Sequence, residues 1–133
     1  MQNLVSFIPK YIMKRMFPSD CVKKVEGGIE LTMVNVISPI TAKDLPENVS
    51  DFISVKVDGN EIPSEVIQSL VVTANENKYD TSNLKDLNGQ TLPIGGSLTF
   101  FVPYEGVEAG EEHELALDIK ETKFQFTFSR VVQ

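Results

Sequence analysis

Glu112-His113-Glu114-Leu115-Ala116-Leu117-Asp118-Ile119, followed after a short break by Phe124-Gln125-Phe126-Thr127-Phe128, is the stretch on which the fold turns. Leu115, Leu117 and Ile119 recur at every second position, and so do Phe124, Phe126 and Phe128. That is the period of a β-strand with one buried face. Both apolar sets must face one core, because a slip of one residue would turn a whole set to solvent. Pairing an odd-numbered set with an even-numbered one requires an even-numbered loop. The register is then Ile119 opposite Phe124, Leu117 opposite Phe126 and Leu115 opposite Phe128. A two-residue loop at Glu121-Thr122 gives that register, and so does a four-residue loop. Aromatic–aliphatic cross-strand pairs of this kind contribute about 0.2–1 kcal/mol each.

The rest of the body reads the same way. Ile29, Leu31, Met33, Asn35 and Ile37 alternate with Glu30, Thr32, Val34, Val36 and Ser38 until Pro39, which has no N–H for a ladder. Ile53, Val55 and Val57 share one face of a second strand. Asp58-Gly59 follows, a dipeptide suited to a type I′ hairpin turn, whose two central residues both need positive φ. A return strand begins at Asn60 and is cut short by Pro63. Leu70–Thr73 and Ser97–Val102 are further strands, and Asn83–Leu87 makes one helical turn. Strands at this spacing, punctuated by Gly and Pro, predict an all-β protein: an antiparallel β-sandwich of about seven or eight strands. The expected organisation is a short N-terminal arm, residues 1–16, and a single sandwich domain, residues 17–133.

The 133 residues carry 12 Lys and Arg against 19 Asp and Glu, for a net charge of −7. That balance argues against nucleic-acid binding, which needs a cationic surface. Charge is unevenly placed. Lys10, Lys14, Arg15, Lys23 and Lys24 stand against Asp20 in the first 25 residues, leaving 7 basic and 18 acidic side chains for the remainder. A basic, apolar arm therefore precedes an acidic body. Phe7, Ile8, Tyr11, Ile12 and Phe17 are costly to leave in water, so the arm either packs on its own domain or docks on another subunit. Phe7, Tyr11 and Phe17 are thereby candidate interface residues. The positive charges follow the apolar stretch, which is not the order of a signal peptide, and no run approaches the length of a membrane helix. The expected address is the cytoplasm, where the Asn48-Val49-Ser50 sequon has no meaning.

The inventory for chemistry is thin. Cys21 is the one cysteine and His113 the one histidine, which excludes a disulfide and falls short of a zinc ligand set. The run Glu105, Glu108, Glu111, Glu112, Glu114 and Asp118 lacks a calcium-loop spacing. Gly27-Gly28 and Gly95-Gly96 open no helix, so neither is a phosphate loop. We therefore assign no catalytic residue, no metal ligand and no cofactor to this chain. The hairpin register sets His113 opposite Arg130 where the core face runs out, and these two are the candidate binding residues of the body.

Several motifs recur in order: Gly27-Gly28-Ile29-Glu30, then Val55-Lys56-Val57-Asp58-Gly59-Asn60-Glu61-Ile62-Pro63, then Gly95-Gly96-Ser97-Leu98, and last Gly106-Val107-Glu108-Ala109-Gly110-Glu111-Glu112-His113-Glu114-Leu115. The succession resembles the small β subunit of bacterial C-glycoside deglycosidases over residues 17–132. The sequence departs from that family after its first strand. Asn35-Val36-Ile37-Ser38-Pro39-Ile40 stands where the family carries a Tyr-Tyr-Arg-Gly-like stretch, so no substrate contact carries over to this loop. The resemblance implies a β-sandwich accessory subunit of a carbohydrate-processing complex. Its barrel-type catalytic partner would bind a divalent metal such as manganese, hold the acid–base residues and cleave the C–C bond between a 3-oxo-sugar and an aromatic aglycone.

Two other functions fit the same sequence. One is a stand-alone, homo-oligomeric sandwich binding a small ligand or carbohydrate in a pocket lined by Tyr79, Tyr104 and Phe101. The other is an enzyme using His113 with a carboxylate such as Glu111.

Overall fold

The computed structural model describes residues 9–120 and 124–133. Phe7 and the Glu121-Thr122 turn lie outside the described residues. In chain order the strands are β1 (Val22–Val25), β2 (Gly28–Val34), β3 (Ile40–Thr41), β4 (Ile53–Val57), β5 (Asn60–Glu61) and β6 (Val71–Ala74). They continue with β7 (Asn77–Tyr79), β8 (Thr91–Leu92), β9 (Ser97–Val102), β10 (Glu112–Ile119) and β11 (Phe124–Val131). Helix α1 spans Lys10–Met16 and the single turn α2 spans Ser64–Ile67. Every strand pair is antiparallel. The five-stranded sheet runs β1-β2-β9-β6-β7, the four-stranded sheet β11-β10-β4-β5, and β3 and β8 form a small ladder of their own.

The two larger sheets enclose the core. Ile29, Leu31, Met33, Val72, Phe100 and Val102 face inward from one; Ile53, Val55, Val57, Leu115, Leu117 and Phe126 face inward from the other. The closing hairpin has the expected register, with Leu115 opposite Phe128, Leu117 opposite Phe126 and Ile119 opposite Phe124. Asp58 and Gly59 both have positive φ, 53° and 83°, as the turn between β4 and β5 requires.

Three expectations need correction. The described residues hold more strands than seven or eight, because β3, β5 and β8 are two-residue ladders and β7 has three residues, lengths that leave almost no alternation to read. The first long strand stops at Val34, short of the expected Ile37. Asn35 is buried there, and its side chain takes the hydrogen bonds that a continuing ladder would have made. From Lys10 onward the N-terminal segment packs on its own domain, one of the two alternatives left open for it, and this removes one of the interface candidates. Pro9 sets the entry to α1, and Ile12, Met13 and Met16 turn onto the core. Phe17 follows with no exposed surface, stacked on Phe128 at 4.2 Å between ring centroids and edge-on to Phe126 at 5.2 Å. It belongs to the core, so it is not an interface residue. Tyr11 alone of the described candidates in this segment points outward, 69% exposed.

Candidate functional site

Between the two larger sheets, at the end where β2 stops and β9 begins, lies a cavity of about 350 Å³. Met33 (β2), Phe100 (β9) and Ala74 (β6) line it from one sheet; Ile119 (β10), Phe126 (β11) and Phe52, just before β4, line it from the other. The β3–β8 ladder and the loop over residues 42–46 form its rim. The cavity opens to solvent at its rim, where Ile37, Ile40, Thr41 and Lys43 are exposed. It exceeds twice the roughly 150 Å³ that admits a benzene ring.

The rim is fixed by Asn35. Its amide Nδ2 donates to the carbonyls of Ser38 at 2.8 Å, Leu92 at 3.1 Å and Pro93 at 3.3 Å, while Oδ1 accepts from the Ile37 N–H at 3.2 Å. The Asn35 backbone is bonded to Gly95 and Gly96. One buried side chain thus holds the loop over residues 35–38 against the loop over residues 92–96, and it has no donor left for a ligand. The remaining polar lining residues, Thr41, Lys43, Asp44, Asn75, Gln90 and Lys120, are all exposed. The cavity is therefore apolar within and polar only at its mouth.

The expected lining was different. Tyr79, Tyr104 and Phe101 do not line this cavity. Its aromatic wall is Phe52, Phe100 and Phe126. Of the three, only Phe126 was assigned to the inward face from the sequence; Phe52 falls out of step with Ile53, Val55 and Val57 and is half-buried.

His113 and Arg130 are opposite each other in the ladder, as expected, yet they do not pair. Arg130 turns away: Nε donates to the Phe17 carbonyl at 2.9 Å and the Pro18 carbonyl at 3.3 Å, Nη2 donates to Phe17 as well, and the guanidinium lies 5.1 Å from the Phe128 ring centroid. It latches the chain leaving α1 onto the last strand. His113 instead meets Asp58, delivered by the β4–β5 turn. Nδ1 is 2.7 Å from Asp58 Oδ2, and the Glu114 backbone N–H donates to Asp58 Oδ1 at 2.9 Å. The bond from His113 first, and then that from Glu114, hold the Asp58 carboxyl below the usual carboxylate range. His113 Nε2 is buried, has no hydrogen-bond partner and faces Glu111 Oε1 at 3.7 Å. That distance is longer than a hydrogen bond, and neither residue lines the cavity.

Cys21 is buried and free, and burial pushes its thiol up to about 11, with the Arg130 guanidinium opposing the shift in part. A thiol so placed is protonated and unreactive. No group of three or more His, Cys, Asp or Glu side chains among the described residues is arranged to hold a metal. No described helix is long and apolar enough to cross a membrane. No protein-family model and no curated protein sequence matches the chain.

Proposed function

We propose that this chain is a non-catalytic binding protein that takes a small, hydrocarbon-rich ligand between its two sheets. The single observation behind the reading is the cavity of about 350 Å³, walled by Phe52, Phe100, Phe126 and Met33, with its polar residues confined to the mouth. A volume at the lower end of the usual ligand-pocket range suits a molecule of two or three fused or linked rings, or a short acyl chain. The same wall disfavours an enclosed sugar. Each hydroxyl group buried there without a partner would cost about 1–3 kcal/mol. A polar end group would face Lys43, Gln90 and Lys120. A cytoplasmic address is part of this proposal, and the buried free thiol of Cys21 fits it.

The test uses N-phenyl-1-naphthylamine, an apolar fluorophore of suitable size. Saturable one-site binding with micromolar affinity is expected, and Ala74→Phe, which fills the cavity, should weaken it at least tenfold. Leu98→Phe, at a half-buried lining position, is the second variant should Ala74→Phe fail to fold. Binding that neither variant alters, or no saturable binding, overturns the reading.

A second reading, an accessory subunit of a carbohydrate-processing complex with a metal-dependent barrel partner, is favoured by the outer face of α1. That face presents Tyr11 with Lys10, Lys14 and Arg15 exposed on an otherwise acidic chain. Co-expression with a barrel-type subunit should yield a complex that Tyr11→Ser combined with Arg15→Glu disrupts. Failure to co-purify, or retention of the doubly substituted chain, sinks it.

A further inference from the structure

The strand edges of this molecule are unequally protected. β5 has two residues and stops before Pro63, β7 has three, and β1 is covered by Gln133, whose N–H donates to the Val22 carbonyl and whose carbonyl accepts from the Lys24 N–H. β11 has eight residues and lies at the outside of the four-stranded sheet. In β10, Glu114 and Lys120 bond toward β4, through Asp58 and Phe52, so the even-numbered backbone groups of β10 point that way. Its odd-numbered groups bond to β11, and each is opposite an even-numbered residue there. The N–H and C=O groups of Gln125, Thr127 and Ser129 consequently point away from the sheet. Among the described residues these N–H groups have no backbone acceptor, and only the Ser129 carbonyl is used, by Arg130 Nη1 at 2.6 Å.

One group on this edge is engaged: Arg130 Nη1 holds the Ser129 carbonyl, and that contact must open for the pairing to extend from Thr127 to Ser129. Phe124-Gln125-Phe126-Thr127-Phe128-Ser129 contains no charge, no proline and no glycine, and the ladder with β10 runs through it without a bulge. Natural edges of this length are ordinarily blunted by lysine, proline or a bulge. The chain carries a net charge of −7, so two copies repel across most of their surfaces. Phe124–Ser129 of β11 offers a strip with no charged side chain, bounded by Arg130, on which they can meet. An antiparallel strand pair is also self-complementary about a two-fold axis.

We propose that β11 is a dimerisation edge, on which a second copy of this chain adds its own β11 antiparallel to make one continuous sheet. With Thr127 at the axis, its N–H and C=O exchange bonds with those of the partner's Thr127, and Gln125 comes opposite Ser129 of the partner subunit. The two Thr127 hydroxyls become a cross-strand pair, like Thr32 with Thr99 at 3.2 Å and Thr41 with Thr91 at 2.8 Å within the chain. The inference does not depend on the cavity.

The experiment is light scattering of the full chain across a wide concentration range, with hydrogen exchange of the Thr127 amide. The measured mass should rise toward twice the 14.8 kDa of one chain, and exchange at Thr127 should slow in step. Thr127→Pro deletes the outward N–H at a position where an edge strand tolerates proline. Thr127→Lys leaves the backbone intact and sets two like charges opposite each other; its side chain is exposed, so it carries the test should the proline variant not fold. Each should weaken the dimer at least tenfold. A wild-type chain that stays monomeric, a dimer indifferent to both substitutions, or open-ended growth into fibres would each overturn the proposal.

Discussion

Asp58 does two things with one side chain. With φ of 53° it occupies the left-handed region that lets Gly59 close the turn between β4 and β5, and its carboxylate ties that turn to His113 and Glu114 of β10. Aspartate is among the few residues other than glycine that tolerate such a φ. Because the folded carboxyl titrates below its unfolded counterpart, its contribution to stability is present above the unfolded carboxylate range. That contribution fades as pH falls through the lower, folded value. Asp58→Asn keeps the turn and an acceptor for the Glu114 N–H but removes the charge. The wild-type melting temperature should fall more steeply than that of Asp58→Asn between about pH 5 and pH 2. Parallel curves would show that the His113 contact adds nothing.

At the scale of elements, β2 and β9 approach so closely that one residue admits only glycine. A Cβ on Gly28 would lie 2.1 Å from the Val102 carbonyl oxygen and 2.8 Å from the Pro103 Cα. Both are backbone atoms held in the ladder, so neither can give way cheaply. Gly28→Ala should cost at least about 1–3 kcal/mol, measured by chemical denaturation, and a neutral result would mean that β9 shifts without penalty. The elements differed in how legible they were. The β10–β11 register followed from Leu115, Leu117 and Ile119 against Phe124, Phe126 and Phe128, because alternation over eight residues leaves one pairing that buries both sets. β9 was read to the residue for a different reason, since Gly95-Gly96 and Pro103 bound it on either side. α1 was missed because seven residues give barely two helical turns of pattern, and Ile12, Met13 and Met16 show their common face only once the helix is assumed. Asp58 was recognised as a turn residue. Its partnership with His113 was not, since that needs the pairing of β4 with β10, strands some fifty residues apart that no local signal joins.

The described residues form two larger sheets around one core, with a cavity between them. The cavity was invisible in the sequence because Phe126 satisfies the same alternation whether the sheets meet or diverge, while Phe52 falls out of step with Ile53, Val55 and Val57; spacing between layers has no one-dimensional signature. Phe17, wholly buried against Phe126 and Phe128, joins the N-terminal segment to the last strand. Phe17→Ala should cost about 3–5 kcal/mol by equilibrium denaturation, and a loss below about 1 kcal/mol would return that segment to the status of a dispensable arm. Beside it, the Arg130 side chain holds the Phe17 carbonyl across 113 positions of chain. Bringing residues so distant in sequence together carries a loop-closure cost that local hairpins do not. The latch should therefore form after the rate-limiting step of folding, once the hairpins have assembled. A contact made that late leaves the folding rate alone and governs how long the native state survives. An Arg130→Ala chain should refold at the wild-type rate and unfold faster, and slower refolding would instead put the latch in the folding nucleus. The two carbonyls gripped by Arg130 are, on this view, a brake on unfolding, set by the strand that completes the molecule.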